Sequence, residues 1–336
     1  MPALPTVLDV ARVAGVSRQT VSNVLNAPGL VKAETQERVR SAILALGYQP
    51  HASARRLRTR RASTLGVRLD ETRDGISGAL LDRFLHSFTK EADARGLRVL
   101  LYVSTDPEDE IAHIRRLNDG ADADAFVLTS TEHGDARVAW MTENRVPFVT
   151  FGRPWGAEDL HTHPWVDVDG RAGTAAATQH FLDRGIRRIG FLGWPSPSGT
   201  GDDRRGGWED ALRGAALDPQ PGLVTVAPDD VGAAESAVAA WRERGAEFDA
   251  LVCASDSLAL GAALALSRDR SGPSIPIVGF DNTPVSRALG FSSVEQRTDL
   301  VAEAVLELLD GRRAAEDGAP PPHRLIVPEL VLRGDV

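Results

Sequence analysis

The chain has 336 residues, enough for a small domain and a two-lobed core, and its net charge is −9. Residues 1–61 contain ten Lys or Arg and three acidic residues, a charge of +7, so the remaining 275 residues carry −16. A single cysteine, Cys253, excludes a disulfide framework and a thiolate-rich metal site. The sequence has no secretory signal and no apolar run near the roughly 20 residues that cross a bilayer. We therefore expect a cytoplasmic protein without a membrane partner. Its positive charge, which can bind DNA phosphates, lies in the N-terminal 61 residues.

Residues 7–26 predict two short helices joined by a tight turn. Thr6 and Asp9 have the spacing of a capping box at the start of the first helix, and Gly15 stops that helix. The apolar residues of the first helix recur at i, i+3, i+4 and i+7, and they are Val7, Val10, Ala11 and Ala14. Ser17 can then cap the second helix.

The second helix has a polar face without an acidic residue. Its predicted inward residues are Val21, Val24 and Leu25, and its predicted outward residues are Arg18, Gln19, Ser22 and Asn23. A solubilising face would more often carry Glu and Lys. Arg, by contrast, can pair with guanine, and Gln or Asn with adenine, in the major groove. A helix-turn-helix that reads DNA therefore explains the pattern better than a helical hairpin with a solvated face.

An arginine-rich segment follows the helix-turn-helix. Residues 26–31 are predicted to form a loop, and a third helix then has its apolar side at Val39, Ala42, Ile43 and Leu46, with Gly47 as its stop. Residues 48–61 combine alanines and arginines with one large apolar residue, Leu57. This composition is unusual for a plain linker. It suits a helix in a minor groove, where Ala52 and Ala54 allow close approach and Leu57 is inserted between base steps.

These residues resemble the head and hinge of the lactose and galactose repressor (LacI/GalR) family of bacterial transcription regulators. The resemblance rests on five stretches: Asp9-Val10-Ala11, Ala14-Gly15-Val16-Ser17, Thr20-Val21-Ser22-x-Val24-Leu25-Asn26, Leu46-Gly47-Tyr48-x-Pro50 and Ala54-Arg55-x-Leu57. It implies that the second helix reads the major groove and that Leu57 is the wedge of a hinge helix. The candidate DNA-binding residues are Ser17, Arg18, Gln19, Ser22, Asn23, His51, Ala54 and Leu57. His51 replaces an Asn of many members and Lys32 a Ser or Thr, and both differences can alter operator preference.

From residue 64 the pattern alternates between strands and helices, which predicts two α/β lobes. The predicted strands are 65–69, 97–103, 125–128, 147–151, 188–192, 222–226, 250–253 and 276–280, with a last pair at 325–327 and 330–332. The predicted helices are 79–95, 108–118, 138–144, 171–184, 203–216, 230–244 and 256–268. The expected fold is a small all-α helix-turn-helix head plus an α/β two-lobe, periplasmic-binding-protein-like (type I) core with doubly wound parallel sheets. The expected boundaries are 1–50 for the head, 51–62 for the hinge and 63–336 for the core, with lobe 1 at 63–164 plus 293–322 and lobe 2 at 165–292 plus 323–336.

The loops after three predicted strands carry residues that suit a carbohydrate. Open parallel sheets bind ligands at the carboxyl ends of their strands. Carboxylates accept hydrogen bonds from paired hydroxyls, arginine donates in a fork, and tryptophan offers a flat apolar face. The candidates in these loops are Trp194, Asp202, Arg204, Asp256 and Asp281. Each Asp alone could instead cap a helix, Asp256 in particular.

The family resemblance implies effector contacts at Arg204, Asp256 and Asp281. These residues fall in the patterns Arg204-x-x-Gly207-Trp208, Ser255-Asp256 and Gly279-Phe280-Asp281. Ser255 replaces the usual Asn, and Gly152 stands where some members have an effector-binding Asp. Tryptophans in predicted loops, namely Trp155, Trp165 and Trp194, favour an oligosaccharide or a β-glucoside-type sugar over a purine, although each alone is as compatible with packing. Trp155 completes the set of candidate effector residues.

The sequence lacks the motifs of several other functions. No dinucleotide-binding GxGxxG follows the first strand, and neither a P-loop nor a GxSxG elbow occurs. His161 and His163 form the only close histidine pair, without the spacing of a metal site. We therefore predict that the protein is not an enzyme and that it binds no cofactor or metal.

The predicted function is that of a homodimeric repressor. A small sugar would release it from a palindromic operator in double-stranded DNA. A corepressor or a non-sugar effector could use the same architecture. A transporter's solute-binding protein would lack the basic head, and a sugar-processing enzyme would need a catalytic pair.

Overall fold

The computed structural model describes residues 5–26, 28–46, 48, 63–69, 76, 78–156, 162–268, 274–312 and 320–334. The chain divides into two compact units, Met1–Ala62 and Ser63–Val336. The predicted hinge, with His51, Ala54 and Leu57, lies outside the described residues.

The described part of the first unit contains three helices around a small apolar core. They are α1 (Val7–Ala14), α2 (Arg18–Asn26) and α3 (Ala33–Leu46), and a 3-10 turn at Pro28–Leu30 lies within the predicted loop. Helix α1 has the predicted capping box of Thr6 and Asp9, and Gly15 ends it at φ 64°. The buried apolar side chains are Val10, Ala11, Ala14, Val21, Val24, Val39, Ala42 and Tyr48. The inward position predicted for Leu25 is wrong. Leu25 is 38% exposed because it lies about 100° further round α2 than buried Val24.

The second unit begins with a six-stranded parallel sheet in the order β11-β5-β4-β3-β1-β2. Its strands are β1 (Thr64–Arg68), β2 (Arg98–Tyr102), β3 (Ala125–Leu128), β4 (Phe148–Phe151), β5 (Trp165–Val168) and β11 (His323–Ile326). Its helices are α4 (Ala79–Ala94), α5 (Pro107–Asp119), α6 (Ala136–Glu143) and α12 (Thr298–Arg312). One apolar core joins α4 and α12 to one face of the sheet, and another joins α5 and α6 to the other face. This is the first lobe.

The second lobe is a sheet in the order β12-β10-β9-β8-β6-β7, parallel except for the pairing of β12 with β10. Its strands are β6 (Ile189–Gly193), β7 (Val224–Val226), β8 (Ala250–Cys253), β9 (Ile277–Phe280), β10 (Ser292–Glu295) and β12 (Glu329–Val331). Its helices are α7 (Gly170–Asp183), α8 (Gly199–Gly214), α9 (Val231–Glu243), α10 (Asp256–Ser267) and α11 (Pro284–Leu289), and a 3-10 turn lies at Pro221–Leu223. Cys253 is buried and has no disulfide.

The lobe boundaries differ from the predicted ones at three strands. The first lobe contains β5 and β11, and the second lobe contains β10, so the chain crosses after Val168, Glu295 and Ile326. Strand β5 pairs in parallel with β4, which extends the first sheet by one strand before the chain crosses. The predicted final strand pair is also wrong. Strand β11 pairs with β5 and β12 pairs with β10, and Pro328 in the connection has no N–H to donate to a hairpin ladder.

Candidate functional site

Helix α2 carries the side chains predicted to read DNA. Ser17 caps it, because the Ser17 Oγ accepts a hydrogen bond from the Thr20 N–H at 3.0 Å. Arg18 and Gln19 are exposed, and the Gln19 Nε2 donates to the Asn23 Oδ1 at 3.0 Å. Ser22 is half-buried. The face therefore presents a cation and two amides that are hydrogen-bonded to each other one turn apart, which are the side-chain types that can pair with base edges.

Three loops of the second lobe meet because β6, β8 and β9 are neighbours in the sheet. Arg204 of α8 is 4% exposed and donates to the main-chain oxygen of Ala254. Its guanidinium carbon lies 3.7 Å from the ring centroid of Phe280 and 5.2 Å from that of Trp194. The Asp281 Oδ1 lies 3.9 Å from the Arg204 Nη1. The structure thus brings three of the predicted effector residues together.

Burial dominates the electrostatics of this cluster. It raises the pKa of Asp281 to about 6, against the opposing charge of Arg204, and it lowers the pKa of Arg204. Asp281 also has a left-handed backbone at φ 101°, and Gln296 donates to its Oδ1. The Arg204 Nε and the Trp194 Nε1 are buried and make no hydrogen bond to the described residues. Buried donors in a cleft favour a ligand that supplies acceptor oxygens.

Asp256 has a different environment from Asp281. It is fully buried, its Oδ2 accepts from the Thr283 N and Oγ1 at 2.7 Å each, and its Oδ1 accepts from the Ser293 Oγ at 2.6 Å. Burial raises its pKa, and these hydrogen bonds lower it. The helix cap is Ser255, whose Oγ accepts from the Leu258 N–H at 3.2 Å. In this conformation Asp256 ties α10 to the loop after β9 and to β10.

The remaining two predicted effector residues flank the start of α8. Asp202 is exposed, and its Oδ2 accepts from the Ser196 Oγ at 2.9 Å and from the Ser198 N–H at 3.0 Å, so it shapes the preceding loop. Trp155 belongs to the first lobe, in the loop after β4, and its indole packs on Gly199 of the second lobe. Trp155 therefore reaches the site from across the cleft.

Two arginines that the sequence reasoning missed also cross the cleft. Arg83 of α4 binds the Glu295 Oε2 at 2.8 Å and the Asn282 main-chain oxygen at 3.3 Å. Arg153 binds the Asp167 Oδ2 at 2.6 Å and the Asp203 Oδ2 at 3.4 Å. Arg153 is the second residue after β4, so the rule that strand ends carry the site could have found it. Arg83 gives no such signal, because an arginine on an amphipathic helix is typical of a solvated face.

The described residues were compared with the requirements of a metal site and of a membrane-spanning helix. No group of three or more His, Cys, Asp or Glu is arranged there to hold a metal ion. None of the described helices is both long and apolar enough to span a membrane.

Comparisons with known proteins match both units. Residues 6–51 match the model of bacterial regulatory proteins of the lacI family, and residues 178–335 match the periplasmic binding protein-like domain. The HTH-type transcriptional regulator CelR of Thermobifida fusca is 31% identical over 327 residues, which is 94% of each chain. A solved structure described as a transcriptional regulator CelR–cellobiose complex is 28% identical with a TM-score of 0.72 over 98% of this chain and 99% of that one. A lac repressor dimer bound to operator and anti-inducer, 22% identical, shares the fold with a TM-score of 0.82 over 98% of each chain.

The helical head and the two-lobe core are the two parts of a regulator that combines a DNA-binding head with a periplasmic binding protein-like domain. The chain belongs to the lacI family of bacterial regulatory proteins and is a DNA-binding transcriptional regulator. The predicted family and fold class are confirmed.

Proposed function

We propose that this regulator is a homodimeric repressor that a small neutral sugar, bound between the lobes, releases from a palindromic operator. The observation that carries the proposal is the Arg204 cluster. The Arg204 guanidinium packs against the rings of Phe280 and Trp194 beside Asp281, and buried donors of Arg204 and Trp194 make no hydrogen bond to the described residues. Aromatic faces, a carboxylate and spare donors are the groups that recognise a sugar ring and its hydroxyls.

The charges around the cleft favour a neutral sugar over a sugar phosphate or a sugar acid. Four carboxylates lie close enough to the buried Arg204 guanidinium for their charges to act on it, and they are Asp167, Asp203, Asp229 and Asp281. An added anion would meet repulsion that burial strengthens. Cellobiose, the ligand named for the CelR complex, is a neutral β-linked disaccharide and is the first compound to test.

On the DNA side, we propose that Ser17, Arg18, Gln19, Ser22 and Asn23 contact the major groove and that His51, Ala54 and Leu57 contact the minor groove. The exposure of Arg18 and Gln19 supports the first set. The second set rests on the sequence alone. The regulator would act in the cytoplasm, where the chromosome lies.

The second lobe carries a candidate surface for binding a second copy of the chain. A groove there is lined by Leu260, Leu264, Leu289 and Phe291, and Leu264 and Leu289 are 42% and 58% exposed. Apolar side chains exposed beside a groove are typical of a protein interface. A dimer also matches the geometry of the head, because one recognition helix reads only half of a palindrome.

The test is a titration of an operator, selected from random DNA, with cellobiose, other neutral mono- and disaccharides and their phosphates, one at a time. Release by a neutral sugar supports the proposal, and tightening by one would make the sugar a corepressor instead. Release by a sugar phosphate alone would contradict a neutral effector, and indifference to every sugar would contradict a sugar effector. We expect the sugar to be recovered unchanged, whereas turnover would identify an enzyme.

A further inference from the structure

One contact between the two lobes depends on the absence of a side chain. The indole of Trp155, from the first lobe, packs on Gly199, the first residue of α8 in the second lobe. A Cβ added to Gly199 would lie less than 3.0 Å from the Cγ, Cδ1 and Cδ2 atoms of the indole, a separation that real Cβ atoms essentially never show. Any residue other than glycine would therefore force the indole away from α8.

An ion pair strengthens the same contact. Arg153, two residues before Trp155, has its guanidinium carbon 5.0 Å from the Trp155 ring centroid and its Nη2 3.4 Å from the Asp203 Oδ2. Gly199 and Asp203 are four residues apart on α8, so they share one face of the helix. The segment 153–155 of one lobe thus holds the first turn of a helix in the other.

The two carboxylates that bind Arg153 belong to different lobes. Asp167 of β5, in the same lobe as Arg153, binds its Nε at 2.6 Å, whereas Asp203 of the other lobe is at 3.4 Å. The side chains of Arg153 and Asp203 are 17% and 13% exposed, so water and salt screen this pair less than a surface pair. Because Asp167 keeps Arg153 in place, the longer contact to Asp203 is the one that breaks when the lobes separate.

We propose that Arg153 and Trp155 form a latch that holds the two lobes closed on the first turn of α8, and that Gly199 is the receptor for the indole. Arg204 lies on the same helix, one residue after Asp203, so the latch fixes the helix that carries the centre of the candidate effector site. The latch does not depend on the identity of the effector. It is a property of the free protein.

The test is a double-mutant cycle on the full-length protein without any ligand. The variants are Gly199→Ala, Trp155→Ala and the double variant, and the control is Gly214→Ala. Gly214 is the last residue of α8, and a Cβ there meets no described atom within 4 Å. The control therefore makes the same substitution on the same helix without touching the indole.

The distance between the lobes is measured by pulsed electron paramagnetic resonance between spin labels on Arg116→Cys and Glu243→Cys, two exposed positions in α5 and α9. The native Cys253 is buried, so labels attach to the introduced cysteines. Dilution with unlabelled chain removes distances between protomers. We expect Gly199→Ala and Trp155→Ala each to shift the distance distribution to longer values, the double variant to match Trp155→Ala alone, and Gly214→Ala to match the unsubstituted protein.

Two outcomes would overturn the latch. One is an unchanged distribution in either Gly199→Ala or Trp155→Ala. The other is a further shift when Gly199→Ala is added to Trp155→Ala, because the alanine would then act through the helix and not through the indole. Should Gly199→Ala fail to fold, the double variant decides. Rescue of folding by Trp155→Ala supports the contact, and failure to rescue contradicts it.

Discussion

The recognition helix and the cleft are built in opposite ways. Helix α2 presents Arg18 and Gln19 to solvent from one continuous stretch of chain, and the shape of the helix alone puts them on a common face. The cleft collects Arg83, Arg204 and Asp281 from three separated elements, and burial shifts the pKa of Arg204 and Asp281. Side chains on the proposed DNA-reading surface can thus be changed without cost to the fold, whereas side chains of the proposed effector site also contribute to stability.

The largest expected effect concerns Asp256. Replacing it with alanine leaves the Thr283 N–H and Oγ1 and the Ser293 Oγ buried without their acceptor, which should cost about 4 kcal/mol of unfolding free energy. Urea unfolding of the purified protein measures this loss. The matched control is Asp202→Ala, since Asp202 is exposed, and it should cost less than about 1 kcal/mol. Equal losses would show that the carboxylate of Asp256 is not a buried support.

The second prediction is that the buried carboxyl of Asp281 makes a contribution to the pH dependence of stability that an exposed carboxyl does not make. The Asp281 pKa of about 6 lies above the value in the unfolded chain, so the folded state binds a proton more tightly and stability falls as pH rises from about 4 to about 6. The shift corresponds to at most about 3 kcal/mol. Unfolding of Asp281→Asn should lack this part of the pH dependence, and Asp202→Asn should retain it. A slope in Asp281→Asn that equals the unsubstituted one would contradict the assignment.

The third prediction concerns the sugar response. Arg204→Ala should weaken sugar binding by about 2 kcal/mol, or roughly 30-fold, because a charge-assisted donor is removed. Binding to operator without sugar should persist. Arg213→Ala, at an exposed position of the same helix, should change neither. Fluorescence anisotropy of labelled operator, with and without sugar, measures both affinities. Loss of operator binding in a folded Arg204→Ala protein would mean that Arg204 does more than bind the effector.

The smallest expected effect belongs to the recognition helix. Gln19→Ala removes a side chain that can pair with adenine, and it should weaken operator binding by about 1 kcal/mol while sparing scrambled DNA and the free energy of unfolding. Competition titrations with the two DNAs measure the difference. Equal weakening on both DNAs would assign Gln19 to non-specific contact.

The sequence predicted the head better than it predicted the cleft. The caps at Thr6, Gly15 and Ser17 and the buried face of α1 are interactions within a few residues, so the pattern contains them. Apart from β5 and β10, which were missed, the strand positions of the core were also predicted to within a few residues. The lobe boundaries were not, because an alternating pattern does not say which sheet a strand such as β5 or β11 joins.

By itself, the sequence determined the family, the helical head, the alternating core and the loops that carry Trp194, Arg204 and Asp281. Only the tertiary structure decided that Asp256 is a buried support, that Arg83 and Arg153 cross the cleft, and that the indole of Trp155 packs on Gly199. The physical reason is the range of the interactions. Caps and apolar periodicity act between neighbours in the chain, but the burial of a carboxylate and the partner of an arginine depend on which distant strands become adjacent.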